Sequence, residues 1–172
     1  MALKKKFFDI EIPLLNQKTE AYVYSIENLD KRALKIDLTR MLRGKSIELL
    51  AKIEVKDGKA VADARKLTLL GFFIRRMLRK GVDYVEDSFS VECKDAKLRV
   101  KPFLITRKKV SRKVKNALRI SAKDFLFNYI KERGKEEVFR DMISSQIQRA
   151  LSLRLKKIYP LALCEIRVLN IE

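Results

Sequence analysis

Histidine and tryptophan are absent from the 172 residues, and cysteine, proline and glycine number only two, three and five. Each shortage removes chemistry. Without imidazole there is no His-based acid, base, triad or metal ligand. Cys93 and Cys164 stand far apart with no CxxC pair, which argues against zinc and iron–sulfur sites. As lone thiols they suit a reducing cytosol and small core positions, with a bridge between them as the other reading. No apolar run of about eighteen residues is present, and Lys4-Lys5-Lys6 leads into Phe7-Phe8-Asp9 rather than a signal-peptide core. There is no P-loop, GxGxxG or GxSxG, no internal repeat and no low-complexity tract.

Acid is also scarce. Twenty-two Asp and Glu face forty Lys and Arg, a net charge of +18. So much self-repulsion in a chain of about one domain's length points to a polyanionic partner. Hydrophobic residues make up 47% of the chain, enough for a true core, so this is not a disordered basic tail.

The patterning predicts an α+β fold: mainly antiparallel sheet or a partly closed barrel, a mid-chain helix, two C-terminal helices and a final strand returning to the sheet. Phe8, Ile10 and Ile12 alternate with polar neighbours up to Pro13. Strands follow at 19–26 and 33–38, with a turn at 39–43. Lys56-Asp57-Gly58-Lys59 signals a two-residue turn and sets Val55 opposite Ala60, Ile53 opposite Ala62 and Lys52 opposite Asp63, the last as an ion pair. A second hairpin turning at Asp95-Ala96 sets Cys93 opposite Leu98, Val91 opposite Val100 and Glu92 opposite Arg99. Between them Leu70, Phe73, Ile74, Met77 and Leu78 have helical spacing, with Gly81 as the stop. Further on, Ser121 is the expected cap of a helix ending near Gly134. Val138 to Ile158 reads as one more helix, stopped at Tyr159-Pro160, and 161–169 as the last strand.

The cations are concentrated. From Ala96 to Lys123 there is no acid, yet eleven cations: Lys97, Arg99, Lys101, Arg107, Lys108, Lys109, Arg112, Lys113, Lys115, Arg119 and Lys123. The 106–121 connector could form a helix with one apolar stripe, and its like charges favour mobility until phosphates neutralise them. The plain alternative is a solvated linker. Arg75, Arg76, Arg79 and Lys80 form a second patch, opposite the apolar stripe of the mid-chain helix, with two like-charge i, i+4 pairs that bound phosphate would relieve. Here too an ordinary solvated face is the alternative. No zinc finger, basic zipper, helix-turn-helix, RRM or KH signature is present, and the apolar stripes are committed to a core rather than a membrane. Structured RNA, read by shape and phosphates, fits best. Neutralising six to ten phosphates would make affinity fall about 10³–10⁵-fold between 50 and 200 mM salt on the duplex-DNA scale. Phe7, Phe8, Tyr22, Tyr24, Phe89 and Phe103, at strand positions, read mainly as core.

An enzyme reading has one foothold. Asp83, Glu86 and Asp87 cluster, and Asp83 and Asp87 would share a strand face, as a nuclease's divalent-ion ligands would. A polar strand edge is the simpler reading, and no cofactor site is visible.

Three stretches carry a family resemblance: Phe7-Phe8-Asp9-Ile10-Glu11-Ile12-Pro13, Lys94-Asp95-Ala96-Lys97-Leu98-Arg99-Val100-Lys101-Pro102 with its basic sequel, and Ile158-Tyr159-Pro160-Leu161. In this order they resemble the archaeal and eukaryotic small-subunit ribosomal protein family S3Ae, also called eS1. The helix with Arg75 and Arg76 occupies the place of the family's basic mid-chain helix. Phe7 stands where members often carry Trp, Ala96 replaces a turn Gly, and both tails are short. The resemblance implies a cytoplasmic, non-catalytic constituent of the small ribosomal subunit, without cofactor, membrane or small-molecule substrate. Its partners would be small-subunit rRNA on the platform near the mRNA exit side, neighbouring platform proteins, and mRNA nearby. The remaining readings are a free RNA-binding protein or RNA chaperone and, further off, the metal-dependent nuclease. The residues expected on RNA are Arg75, Arg76, Arg79, Lys80, Lys101, Arg107, Lys108, Lys109, Arg112, Lys113, Lys115 and Arg119.

Overall fold

The computed structural model describes residues 4–56 and 58–172. Alternating side chains build β1 (Lys6–Ile12) and β2 (Gln17–Val23), an antiparallel hairpin; a single 3₁₀ turn at Ile26–Leu29 leads to β3 (Ala33–Asp37). β4 (Ile47–Lys56) and β5 (Lys59–Leu69) form the long central hairpin. Then come α1 (Gly71–Met77), β6 (Tyr84–Glu86), β7 (Phe89–Glu92), β8 (Lys97–Thr106), α2 (Arg112–Lys131), α3 (Lys135–Ile143), α4 (Gln146–Leu155) and β9 (Leu161–Ile171).

All nine strands join one open sheet, whose main path runs β2-β1-β5-β9-β8-β6, with β4 on β5, β3 on β4 and β7 on β8. Most pairs are antiparallel; β1 lies parallel to the start of β5 at Ala60 and Val61, and β9 takes the far end of β5 at Lys66–Thr68. β5 therefore connects two apolar clusters. The smaller, under the β1–β2 hairpin, holds Ile10, Ile12, Val23, Leu29, Ala51, Ile53, Ala60 and Ala62. The larger lies between the sheet and α2–α4 and includes Leu49, Leu67, Leu98, Phe103, Leu126, Phe139, Leu151 and Leu169. No helix among the described residues is long and apolar enough to cross a membrane.

The first hairpin has the expected register: Val55 faces Ala60, Ile53 faces Ala62 and Lys52 faces Asp63. Gly58 supplies the positive φ (+73°) that its two-residue turn requires, while Asp57 lies outside the described residues. The anticipated Lys52–Asp63 ion pair does not form. Asp63 is held by Lys135 of α3 at 3.2 Å and Arg65 at 3.4 Å, and Lys52 points to solvent. An exposed cross-strand pair gains too little to compete with tertiary partners.

The second hairpin is shifted by two residues. Val91 faces Leu98 and Glu92 faces Lys97, so the loop has four residues, with Cys93 N donating to Ala96 O at 2.9 Å. Ala96 lacks glycine's access to positive φ, and the longer loop avoids that strain. A shift of two keeps every side chain on its face. Val91, Leu98 and Val100 stay buried.

The helices differ more. α1 stops at Met77, and Leu78 is already extended (ψ 117°), so Arg79 and Lys80 lie beyond the helix and the two i, i+4 like-charge pairs do not exist. Ser121 caps nothing: it sits inside α2, which starts at Arg112 with Ser111 as cap, the Ser111 hydroxyl accepting from Val114 N at 3.4 Å. Leu118, Ala122, Leu126 and Ile130 make the continuous i, i+4 stripe that extends this helix back through the basic segment. The helix expected over 138–158 is broken at Ser144-Ser145, where Ser145 takes a left-handed φ of +62°. Serine competes for backbone hydrogen bonds, and the Met142 carbonyl accepts from Ser145 N at 3.2 Å and from Gln148 Nε2 at 3.0 Å. Both cysteines are free and half-buried. Phe89 and Phe103 are buried as expected, but Phe7, Tyr22 and Tyr24 are exposed.

Candidate nucleic-acid interface

The acid-free segment becomes a strand end, a short loop and the first turns of a long helix. Thr106, the last residue of β8, is fully buried, and Arg107, Lys108 and Lys109 follow it into solvent. The loop is pinned from a distant part of the chain. Thr106 N donates to Asp83 O at 2.9 Å, Asp83 N donates to the Thr106 hydroxyl at 3.0 Å, and that hydroxyl lies 2.7 Å from the Lys108 carbonyl. The Asp83 carboxylate accepts from Val110 N at 3.0 Å and meets Lys115 Nζ at 3.5 Å. The Val110 amide foremost, then the charges of Lys115 and Lys109, hold its carboxyl below the usual Asp range, partial burial working against them.

Asp83 thus ties down the cationic loop. The other acids of its sequence cluster are separately engaged. Glu86 pairs with Arg167 at 3.0 Å, and Asp87 accepts from Ser88 N at 2.9 Å. No group of three or more His, Cys, Asp or Glu converges as a cation site among the described residues.

On α2 the cations sit at the unfavourable end of the helix. Its first turn has no acid, and Arg112, Lys113 and Lys115 crowd the positive pole of the macrodipole. Each such placement costs about 0.3–1 kcal/mol at an exposed helix end. Burial of Leu118, Leu126 and Ile130, worth about 1.5–3 kcal/mol each, outweighs this and holds the helix without help from its charges. Cations gathered at a helix N-terminus are chemically suited to receive an anion. Of Arg107, Lys108, Lys109, Arg112, Lys113, Lys115 and Arg119, only Lys115 makes an ion pair among the described residues; Arg119 donates to Asn116 Oδ1 at 3.3 Å.

Four of these side chains, Arg112, Lys113, Lys115 and Arg119, border an open groove of about 630 Å³ between β6 and α2, together with Tyr84, Val85, Glu86 and Asn116. Tyr84 is half exposed and rests on buried Phe103, ring centroids 5.8 Å apart. Sequence reading singled out neither Tyr84 nor the loop-pinning role of Asp83. The available signal was Ser111 immediately ahead of Arg112, a cap that sets α2 beginning inside the basic stretch.

The second patch precedes Asp83 in the chain. Arg75 and Arg76 are exposed on α1, Arg76 lying over the Phe73 ring at 5.2 Å, and Arg79 and Lys80 are exposed just after it. Lys80 precedes Asp83 by three residues, within about 11 Å along even an extended chain. The Asp83–Thr106 hydrogen bonds therefore join the two cationic loops. Lys101 stands apart, half-buried within β8 opposite Val168.

A sequence model of the ribosomal S3Ae family matches residues 2–172. The chain is similar to the small ribosomal subunit protein eS1 of Nanoarchaeum equitans, 28% identical over 183 residues that cover 98% of this chain and 89% of the relative. The proteins of that name from Methanothermobacter thermautotrophicus and Haloquadratum walsbyi are 32% and 24% identical over 95 and 155 residues, covering 55% and 85% of this chain and 49% and 71% of theirs. The match over residues 2–172 places this chain in the ribosomal S3Ae family.

Proposed function

We propose that this protein is a non-catalytic constituent of the small ribosomal subunit in the cytoplasm, holding small-subunit rRNA on the platform near the mRNA exit side and supporting translation. The observation that carries the RNA contact is the row of cations at the start of α2 and in its preceding loop, of which only Lys115 makes an ion pair among the described residues, while Glu86 of the same groove is held by Arg167. Arg107, Lys108, Lys109, Arg112, Lys113, Lys115 and Arg119 bind phosphates, Arg75, Arg76, Arg79 and Lys80 extend the contact, and Lys101 adds a peripheral charge. The pinned loop lowers the entropy cost of presenting these cations to folded RNA. Family membership and the names of the relatives support the ribosomal setting, with neighbouring platform proteins as further partners.

The test is sedimentation of tagged protein through a sucrose gradient. The protein travels with small subunits, and reversing Arg107, Lys108, Lys109 and Arg112 to Glu abolishes incorporation while the circular dichroism spectrum is retained. Sedimentation of the unaltered protein away from subunits would instead identify a free RNA-binding protein.

A further inference from the structure

The outer face of the β1–β2 hairpin departs from the rest of the molecule in both charge and polarity. The register places Phe7 opposite Tyr22, Asp9 opposite Glu20 and Glu11 opposite Lys18 on one face, with Lys5 and Tyr24 at its end. Three aromatics there are open to solvent: Phe7 at 68%, Tyr22 at 55% and Tyr24 at 49%. Phe7 and Tyr22 touch, with ring centroids 4.9 Å apart, and Lys5 Nζ lies 5.7 and 5.2 Å from the Tyr22 and Tyr24 rings. These rings already hold a cation over their faces.

Beside the rings, two carboxylates confront each other. Like charges directly across a strand pair are destabilising. In a chain with forty cations, neither Asp9 nor Glu20 has an ion pair or side-chain hydrogen bond among the described residues. Lys18, diagonal to Asp9, is taken by Glu11 at 2.9 Å. The hairpin's own residues on this face are two cations and three carboxylates, and with Lys59 of β5 beside Glu11 the charges balance, so the face lacks the cationic excess of the α2 junction. β2 is moreover an edge strand of the main sheet path, with backbone groups open to an extended chain.

We infer that the exposed Phe7, Tyr22 and Tyr24 with Asp9 and Glu20 form a docking surface for a basic, arginine-bearing polypeptide segment of another protein. Guanidinium groups would lie over the rings and pair with Asp9 and Glu20, relieving their repulsion, while the stems of the arginines cover the apolar strip. This deepens one part of the proposed function, contact with neighbouring ribosomal proteins, and is independent of where rRNA binds.

The probe is a short fluorescein-labelled peptide of alternating Arg and Leu, titrated against the purified protein by anisotropy. The protein's net positive charge opposes its binding, so affinity has to come from a local surface. Asp9→Asn with Glu20→Gln, and separately Phe7→Ala with Tyr22→Ala, each weaken binding about tenfold, whereas the Glu reversals at 107–109 and 112 do not weaken it. The first pair removes a repulsion and keeps the fold, which an undiminished melting temperature verifies. Failure of the peptide to bind, or equal binding by both variant pairs, overturns the inference. So does a loss of labelled oligouridylate affinity on Phe7→Ala with Tyr22→Ala, which would mark a base-stacking surface. Failure of the phosphate reading appears separately, as oligouridylate binding indifferent to the reversals at 107–109 and 112.

Discussion

The β1–β2 hairpin and the β8–α2 junction belong to one sheet yet use acids in opposite ways. At the junction Asp83 lies among cations and gives its oxygens to the Val110 amide and Lys115. On the hairpin Asp9 and Glu20 face each other unpaired beside exposed rings. The junction is organised internally and offers excess positive charge; the hairpin holds carboxylates that its own chain does not neutralise. A net charge of +18 is therefore an average over surfaces of unlike chemistry, and Asp83 serves to shape the basic one.

The strongest way to break the comparison is to erase the junction's charge. Reversing Arg107, Lys108, Lys109 and Arg112 to Glu flattens the slope of log affinity against log salt by roughly four, about one per lost phosphate contact, in filter binding to small-subunit rRNA. Asp9→Asn with Glu20→Gln leaves that slope unchanged. Next in size is stability. Leu126→Ala, in the stripe that holds α2 to the sheet, lowers unfolding free energy in urea by about 2–5 kcal/mol. Tyr24→Ala on the open hairpin face costs about 1 kcal/mol or less.

A smaller effect concerns pH. Because the folded protein holds Asp83 below its ordinary pKa, its contribution to stability is present above the usual Asp range and is lost as pH falls through the lowered value. Asp83→Asn removes this contribution, so the melting temperature of the variant declines less steeply with acid than that of the unaltered protein. The smallest effect touches neither surface. Burial pushes the Cys164 thiol up to about 12, so at pH 8 on the order of 10⁻⁴ of it is thiolate, and it alkylates far more slowly folded than in denaturant, as mass spectrometry would record.

Much of the scaffold was legible in short-range pattern. Gly58 announces the β4–β5 turn, and the alternation around it sets a register the structure reproduces pair by pair. The β7–β8 register was less legible because the Cys93–Ala96 loop has no residue that demands one turn type. Helix boundaries failed where tertiary contacts decide. Arg79 and Lys80 fit a continued helix by spacing, yet the chain turns away after Met77. Ser111 and Ser121 are equally good caps by type, and the buried face of Leu118 selects the earlier one.

The candidate site divides in the same way. Its cations are visible in the chain as an acid-free run, because charge is a property of residue type. Their assembly is not. Asp83 lies more than twenty residues before Thr106, and only folding reveals that it pins the loop carrying Arg107–Lys109. The exposure of Phe7 and Tyr22 is likewise a property of the sheet: alternation identifies two faces of a strand, and which face is covered depends on what packs against it. By itself the sequence determined composition, charge, the central hairpin and an α+β fold, since these follow from local preference and periodicity. The tertiary structure decided which charges meet, where α2 begins and which aromatics remain open, since those depend on contacts between residues distant in the chain.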